Sequence, residues 1–452
     1  MGPGATLPPP PPPPTPPNVI LFFTDDHGFA DLGIHGQEAD VQTPHTDQLA
    51  RDGVLFEQGY VTAPQCSPSR AGLMTGVFQA RFGMDNNRQG PLPLELKTMA
   101  DHMRALGYRT GMAGKWHLDV DQNNRQNLPS STDESLYRPG ARGFDEFFEG
   151  RRHSWFASHT AEGEPVPHAE HPIQDQRDRI GLATAWSQAF IRRHHEQPFF
   201  LYVPYFAPHV PLEAPAQDLE VFAGVSEEKR RIALAMIHAM DRGVGAIRDT
   251  LAGLELTNRT LIIYAGDNGA PTIDHLANGS LNTLLAGEKG MLTEGGIRVP
   301  FILSWPGTLP EGARYPHMVS TLDLLPTMRA AASADPAPGL DGKNLLPALQ
   351  STPPTPVHER LYWRFLTQSA VREADWKLIL LGDGTELLFD MRAPLLEREN
   401  LAKEHADVVD RLRTDLQAWA DGLQPPGLSS GPLHPGDRQF FSHHGYISAG
   451  AP

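Results

Sequence analysis

Asn18-Val19-Ile20-Leu21-Phe22-Phe23-Thr24-Asp25-Asp26-His27-Gly28 opens the foldable part of the chain with a continuously apolar run that stops at an acidic pair. A run without a polar side has no face for water, so it is expected as a strand buried on both faces. Leu261-Ile262-Ile263-Tyr264-Ala265 is a second such run and ends in the same manner, in Gly266-Asp267-Asn268-Gly269. Between them lie amphipathic stretches at Leu94–Leu106 and Gly181–His195 and a further apolar run at Pro198–Val203. Alternation of this kind predicts a large, doubly wound α/β domain with a mostly parallel central sheet flanked by helices.

Outside this unit the composition changes. Residues 1–17 include seven consecutive prolines, Pro8–Pro14, whose fixed φ and missing amide hydrogens favour an extended, disordered leader. Proline-rich punctuation from Ala332 to Pro338 marks the end of the α/β unit, read as residues 18–335. Beyond it Glu359–Phe365, Ser369–Arg372, Trp376–Leu381 and Thr385–Asp390 read as short strands and Lys403–Leu423 as a helix, giving a smaller antiparallel α+β subdomain over 336–423. Residues 424–452, rich in Pro, Gly, Ser and His, read as a loosely packed tail.

The chain has 452 residues, 40% of them hydrophobic, which excludes wholesale disorder and a small disulfide-built scaffold. A net charge of −16 opposes broad association with nucleic acid or anionic lipid. The one cysteine, Cys66, permits neither an intrachain disulfide nor a multi-cysteine zinc site. No stretch approaches the roughly 18 apolar residues of a membrane span, and the start lacks the regions of a secretory signal, so a cytoplasmic location is expected for the sequence as written, with export the alternative if the native N-terminus differs.

In open α/β sheets the carboxyl ends of the strands form the ligand crevice, so Asp25, Asp26, Asp267 and Asn268 are candidates for an oxygen-only cage, suited to Ca²⁺ with Mg²⁺ as alternative. Such pairs also end strands simply by capping helices or making turns. In Cys66-Ser67-Pro68-Ser69-Arg70-Ala71-Gly72-Leu73-Met74-Thr75-Gly76, Ser67 is a plausible N-cap and Pro68 suits the first helical position. Cys66 would then stand at a helix N-terminus, where free amides, the dipole and Arg70 favour anions; the plain alternative is a small buried hydrophobe.

Cys66-Ser67-Pro68-Ser69-Arg70, continued to Met74-Thr75-Gly76, resembles the signature of the cysteine-type sulfatases, of alkaline phosphatase-like fold. The likeness runs from Asn18 to about Leu423. Further blocks that carry it are Thr43–Ala50, Gly53–Phe56, Gly107–Leu118, Ala207-Pro208-His209-Val210-Pro211, and Gly287-Glu288-Lys289-Gly290 with Glu294–Pro300. The resemblance implies oxidation of Cys66 to formylglycine by a formylglycine-generating or radical maturation enzyme. It also implies a divalent metal on Asp25, Asp26, Asp267, Asn268 and residue 66, with Arg70 holding the formylglycine and the metal ligands. Lys115, His117, His209 and Lys289 become catalytic and sulfate-pocket residues; read alone, they are better explained as surface lysines and hydrogen-bonded structural histidines. Ser154 is a weaker match to a pocket serine, and Arg298 is expected to pair with Glu294.

The function so implied is hydrolysis of an aryl or carbohydrate sulfate ester. A metal-activated hydroxyl of the hydrated aldehyde attacks sulfur, His209 or Lys289 protonates the leaving oxygen, and His117 helps regenerate the aldehyde. The alternatives are a phosphonate or phosphate ester hydrolase of the same superfamily, or a noncatalytic anion-binding protein whose Cys66 stays a thiol. Those phosphoester-cleaving relatives more often carry Asp-His where this chain has Asp267-Asn268. The chain departs from the family pattern at His27, at His45-Thr46 and at Asp119, none of them an implied ligand. The loops 119–142 and 158–178, expected to wall the pocket, set the substrate.

Overall fold

The computed structural model describes residues 16–167, 171–273, 275–393 and 396–448. Residues 1–15 of the expected leader and 449–452 of the expected tail lie outside the described residues. The strands of the large sheet are β1 (Asn18–Asp25), β2 (Val54–Tyr60), β3 (Arg109–Gly114), β4 (Glu146–Arg151), β5 (Ser154–Ala157), β6 (Ile173–Gln174), β7 (Phe199–Pro208), β8 (Thr260–Gly266), β9 (Phe301–Ser304) and β10 (Ala313–Ser320). Their spatial order is β10-β2-β9-β8-β1-β7-β3-β4-β5-β6. The centre, β8-β1-β7-β3-β4, is parallel. The sheet becomes antiparallel where β9 inserts between β2 and β8 and along the β4-β5-β6 edge. It is therefore a mixed ten-stranded sheet with a parallel middle.

β1 is buried along its whole length, and its side chains alternate between two cores. Val19, Leu21 and Phe23 enter one cluster with Phe56, Met74, Tyr202 and Val299. Ile20 and Phe22 enter the other with Trp186, Phe190, Met240 and Val244. The period-two alternation of a strand places helices on both sides of the sheet. On the second side pack the helices Arg179–His194 and Glu228–Gly253. The latter, 26 residues long, has no counterpart in the expectations above.

The first helix-like stretch is helical only over Met99–Ala105, because Thr98 and Asp101 form a reciprocal capping box that fixes its start. A separate sheet, β11 (Arg360–Phe365), β12 (Gln368–Glu373), β13 (Trp376–Leu381) and β14 (Glu386–Asp390), is antiparallel throughout. The helix Ala406–Ala420 covers it with Val409, Leu412 and Leu416. The buried Trp363 Nε1 donates to Val61 O at 2.7 Å, joining this sheet to the large one.

The expected loose tail is a correction. Residues 435–443 are helical, Phe441 is fully buried, and Asp437 accepts from the Thr367 amide at 3.0 Å and from Gln368 Nε2 at 2.7 Å. Arg364 further donates to the carbonyls of Gln424 and Gly427. Specific polar docking around one buried ring holds this segment, which composition alone does not reveal. Among the described residues no helix is long and apolar enough to cross a membrane.

Candidate active site

The carboxyl ends of β8, β1, β7 and β3 lie side by side, so the loops that leave them share one crevice. β1 delivers Asp25 and Asp26, β8 delivers Asp267 and Asn268, β3 runs into Lys115 and His117, and β7 into His209. Gly114 permits the turn to Lys115: its φ is +137°, and a Cβ there would lie 2.0 Å from Pro204 O. Asp26 and His117 hold φ of +60° and +58° as non-glycine residues, a strain that clusters at functional sites.

The helix Cys66–Thr75 aims its N-terminus into the same crevice. Gln65, not Ser67, is its N-cap, and no side chain caps it. Ser67 instead donates from Oγ to His117 O at 3.0 Å, and its amide donates to Asn87 Oδ1, so its hydrogen bonds tie the helix start to the His117 loop. Pro68 accordingly sits in the first turn but not at its first position. The expectation for Ser67 and Pro68 is thus corrected by two residues, while Cys66 remains at the helix start.

Cys66 Sγ lies 3.5 Å from Asp25 Oδ1, 3.8 Å from Asp26 Oδ1 and 3.4 Å from Lys289 Nζ. Burial, reinforced by Asp267, pushes its thiol well above the ordinary range. Lys115 Nζ donates to both oxygens of Asp25 at 2.9 and 2.7 Å, and Lys289 Nζ to both of Asp26 at 2.6 and 2.8 Å. Arg70 Nη2 donates to Asp267 Oδ2 at 2.7 Å, and Nη1 to Lys115 O at 3.1 Å. Burial raises the carboxyl of Asp25, but Lys115, His209 and Arg70 overcome it and hold the group well below the usual range. Asp267 behaves oppositely: burial and then the charge of Asp25 push it up to about 7.

The oxygen donors of Asp25, Asp26, Asp267 and Asn268 fit a hard divalent cation. One oxygen each of Asp25 and Asp26, Cys66 Sγ and one His209 nitrogen lie within 4.8 Å of one another. Asn268 Nδ2 donates to Asp26 Oδ1 at 2.7 Å, leaving the buried Oδ1 of Asn268 without a partner. Asp267 Oδ1 accepts from the Asp26 amide at 3.0 Å, which binds the two strand ends together. An orphaned amide oxygen beside crowded carboxylates is what an oxygen-ligated cation would satisfy. The carboxylates of Asp25, Asp26 and Asp267 are already matched by Lys115, Lys289 and Arg70. A divalent ion would therefore leave the crevice positive and attractive to an anionic ester.

Above the cluster opens a cavity of about 420 Å³, with Asp25, Lys115, His117 and His209 among its lining residues. His209 Nδ1 donates to Val210 O at 2.5 Å, and its Nε2 stands 3.6 Å from Asp26 Oδ2. Burial lowers its pKa against the pull of Asp25. His117 Nε2 lies 3.7 Å from Asp121 Oδ2. Asp119, Asp121 and Asn123, from the first of the two expected wall loops, line the cavity, as do Arg152 and Arg179.

The structure does not bring Ser154 into this group. It lies on β5, its Oγ accepts from Gln174 Nε2 at 3.2 Å, and it is not among the cavity-lining residues. Arg298 does pair with Glu294, at 3.4 Å. The histidine that departs from the pattern after the first acidic pair, His27, is fully buried and bonded to Asp31 O and Tyr264 Oη, which makes it structural. Sequence reasoning missed Arg179, which begins a helix beside Asp178 with no surrounding motif, and Asn87, whose contact to Ser67 spans separate loops.

The family model described as Sulfatase matches residues 17–334, and that described as N-sulphoglucosamine sulphohydrolase, C-terminal, matches residues 287–421. Arylsulfatase A of Bos taurus is 33% identical over 370 residues, covering 75% of this chain and 69% of the relative. N-acetylgalactosamine-6-sulfatase of Canis lupus familiaris is 31% identical over 356 residues, covering 72% and 64%. Among solved structures, Ps i-CgsB in complex with k-i-k-neocarrahexaose aligns with a TM-score of 0.79 at 27% identity, over 96% of this chain and 98% of that one.

Proposed function

The chain belongs to the sulfatase family, a sulfuric ester hydrolase, and on that premise we propose that residue 66, carried as formylglycine against a divalent cation, is its nucleophile. The observation that carries this reading is the place of Cys66: at a helix N-terminus, 3.5 Å from Asp25 Oδ1, 3.8 Å from Asp26 Oδ1 and 3.4 Å from Lys289 Nζ. The cation, Ca²⁺ by the donor chemistry, would be held by Asp25, Asp26, Asp267, Asn268 and residue 66, and when bound supplies charge that polarises a sulfate oxygen and acidifies a neighbouring hydroxyl. Formylglycine, when present, supplies an aldehyde whose hydrate carries the attacking hydroxyl. Its formation requires a maturation enzyme.

The remaining work falls to the chain's own side chains. Lys115 Nζ and Lys289 Nζ neutralise the nonbridging sulfate oxygens, on which charge builds as sulfur is attacked. Arg70 does not reach the ester: it fixes Asp267 and, through Lys115 O, the lysine loop. The Nδ1 contact of His209 to Val210 O directs Nε2 to the cavity, where it or Lys289 Nζ delivers a proton to the departing alcohol oxygen. His117, held between Ser67 and Asp121, takes a proton from residue 66 to restore the resting site. The names arylsulfatase A and N-acetylgalactosamine-6-sulfatase and the oligosaccharide bound to Ps i-CgsB support an aryl or saccharide sulfate as substrate.

Two measurements test the reading together. Mass spectrometry of the peptide containing residue 66, from protein made with its maturation enzyme, should show the aldehyde. The same preparation should cleave an aryl sulfate in preference to the matching aryl phosphate. A retained thiol with no turnover, or a clear preference for phosphate, overturns it.

A further inference from the structure

Arg179 is a buried cation without a carboxylate partner. It opens the helix Arg179–His194, is 4% exposed, and lines the cavity above Asp25, Lys115 and His209. Its Nη2 donates to His209 O at 2.9 Å and to Pro211 O at 2.8 Å, and its guanidinium carbon lies 5.0 Å from the Phe206 ring centroid. Nε has no hydrogen-bond partner. Asp25 and Glu213 are the acidic groups whose fields reach it, and neither forms a salt bridge with it.

The other buried cations of the crevice differ. Arg70, Lys115 and Lys289 each meet a carboxylate within hydrogen-bonding distance, at 2.7, 2.7 and 2.6 Å. A buried charge is tolerated when paired, and a guanidinium facing carbonyls, a ring and an open cavity lacks that pairing. Burial already presses against its charge, and Arg152, exposed on the same cavity, adds repulsion. An oxyanion entering the cavity would relieve both, and a guanidinium presents the planar fork that binds sulfate or carboxylate through two hydrogen bonds.

Resting on the sulfate-ester reading, we propose that Arg179, with Arg152 at the rim, forms a second anion subsite beside the scissile group. The substrate class is then a sulfate ester whose alcohol part carries a second negative substituent, a sulfate or a carboxylate. Because Arg179 is bonded to the His209 backbone, the second anion lies within the same cavity as the proton donor, on the substrate's alcohol part. A residue that only clamped the His209–Pro211 loop would treat every sulfate ester alike; a subsite discriminates.

The test uses the full chain carrying Cys66→Ala, which binds without turnover, in calorimetric titrations. The probes are hexose 6-sulfate, its 2,6-, 3,6- and 4,6-disulfates, and a 2-sulfated uronic acid. At least one doubly charged probe should bind about tenfold or more tighter than the monosulfate. Whether a disulfate or the uronate gains identifies the second group. Added Arg179→Gln should remove that gain while weakening the monosulfate far less, and Arg179→Lys, folded and charged but without the fork, should keep part of it. In the maturated enzyme the same ranking should appear in kcat/KM.

Equal weakening of singly and doubly charged probes by Arg179→Gln, or no gain from any second charge before the substitution, overturns the subsite. If the maturated enzyme instead cleaves no sulfate ester at all, the sulfate-ester reading itself has failed, so the two failures are told apart.

Discussion

Arg70 Nη2 lies 2.7 Å from Asp267 Oδ2, with both side chains fully buried. Neither charge can reach water, so removing the guanidinium strands a carboxylate that burial and Asp25 already push up to about 7. Arg70→Ala is therefore expected to cost about 3–5 kcal/mol of folding stability when no divalent ion is present. Added calcium should restore part of that loss by taking over the counter-charge. Urea denaturation with chelator and then with calcium measures both, and a cost below about 1 kcal/mol under chelator contradicts the account.

Asn268 Oδ1 is buried without a partner in a group otherwise rich in hydrogen bonds. The cation is expected to satisfy it, so Asn268→Ala should weaken calcium binding at least tenfold, and chelation should lower the melting temperature of the parent protein more than that of the variant. Calcium titration calorimetry after chelator treatment reads the affinity. Unchanged affinity would remove Asn268 from the ligand set.

Much of the molecule was legible because its information is local. The apolar runs Val19–Phe23 in β1 and Leu261–Ala265 in β8 advertise themselves, and the acidic pairs follow at the strand ends. Lys115, His117, His209 and Lys289 could be placed because each sits in a contiguous block that resembles a family, not because spacing alone made them special. What stayed hidden was non-local. Nothing in Phe301–Ser304 says that it inserts antiparallel between β2 and β8. Asp437 in a Pro- and His-rich segment gives no sign that it will bond Thr367 and Gln368. Ser67 resembled an N-cap because such a residue ahead of a proline often is one; here its hydroxyl is engaged by His117 O instead. Arg179 was invisible, since its partners are carbonyls of another loop.

The roles assigned to residue 66 separate under two substitutions. Cys66→Ala removes one buried sulfur and should fold with a loss of about 1 kcal/mol, while sulfatase activity falls to background. Cys66→Ser offers one hydroxyl where the hydrated aldehyde offers two, so it is expected to accept sulfate slowly and then to hold it as a stable serine ester. Intact-mass analysis after incubation with an aryl sulfate should show the added sulfuryl group on the serine variant alone. Sustained multiple turnover by that variant would rule out the scheme.

Lys377 Nζ stands between two buried carboxylates, 3.0 Å from Glu294 Oε1 and 2.7 Å from Glu397 Oε1, so one cation serves two anions where the small sheet meets the large domain. Glu294 has further help from Tyr60 Oη at 2.8 Å and Arg298 at 3.4 Å. Burial raises its carboxyl, but Lys377 and Arg298 overcome this and lower it to about 2. Glu397 has less help, from the Glu294 amide that donates to its Oε2 at 2.6 Å: burial outweighs Lys377, the Glu294 carboxylate adds repulsion, and its carboxyl rises to about 7. A folded-state value above the unfolded one, near 4.5, means that the native state binds the extra proton between those pH values. The resulting stabilisation is complete below pH 4.5 and disappears as pH rises through about 7. Glu294 works in the opposite sense, its contribution present above its unfolded value and lost only as pH falls toward 2. Glu397→Gln, neutral at every pH, should therefore abolish a decline in stability on the order of 1–2 kcal/mol between about pH 5 and pH 7.5. Urea denaturation of the two proteins across that range decides it: parallel curves would mean that Glu397 is ionised throughout and that Lys377 compensates both carboxylates.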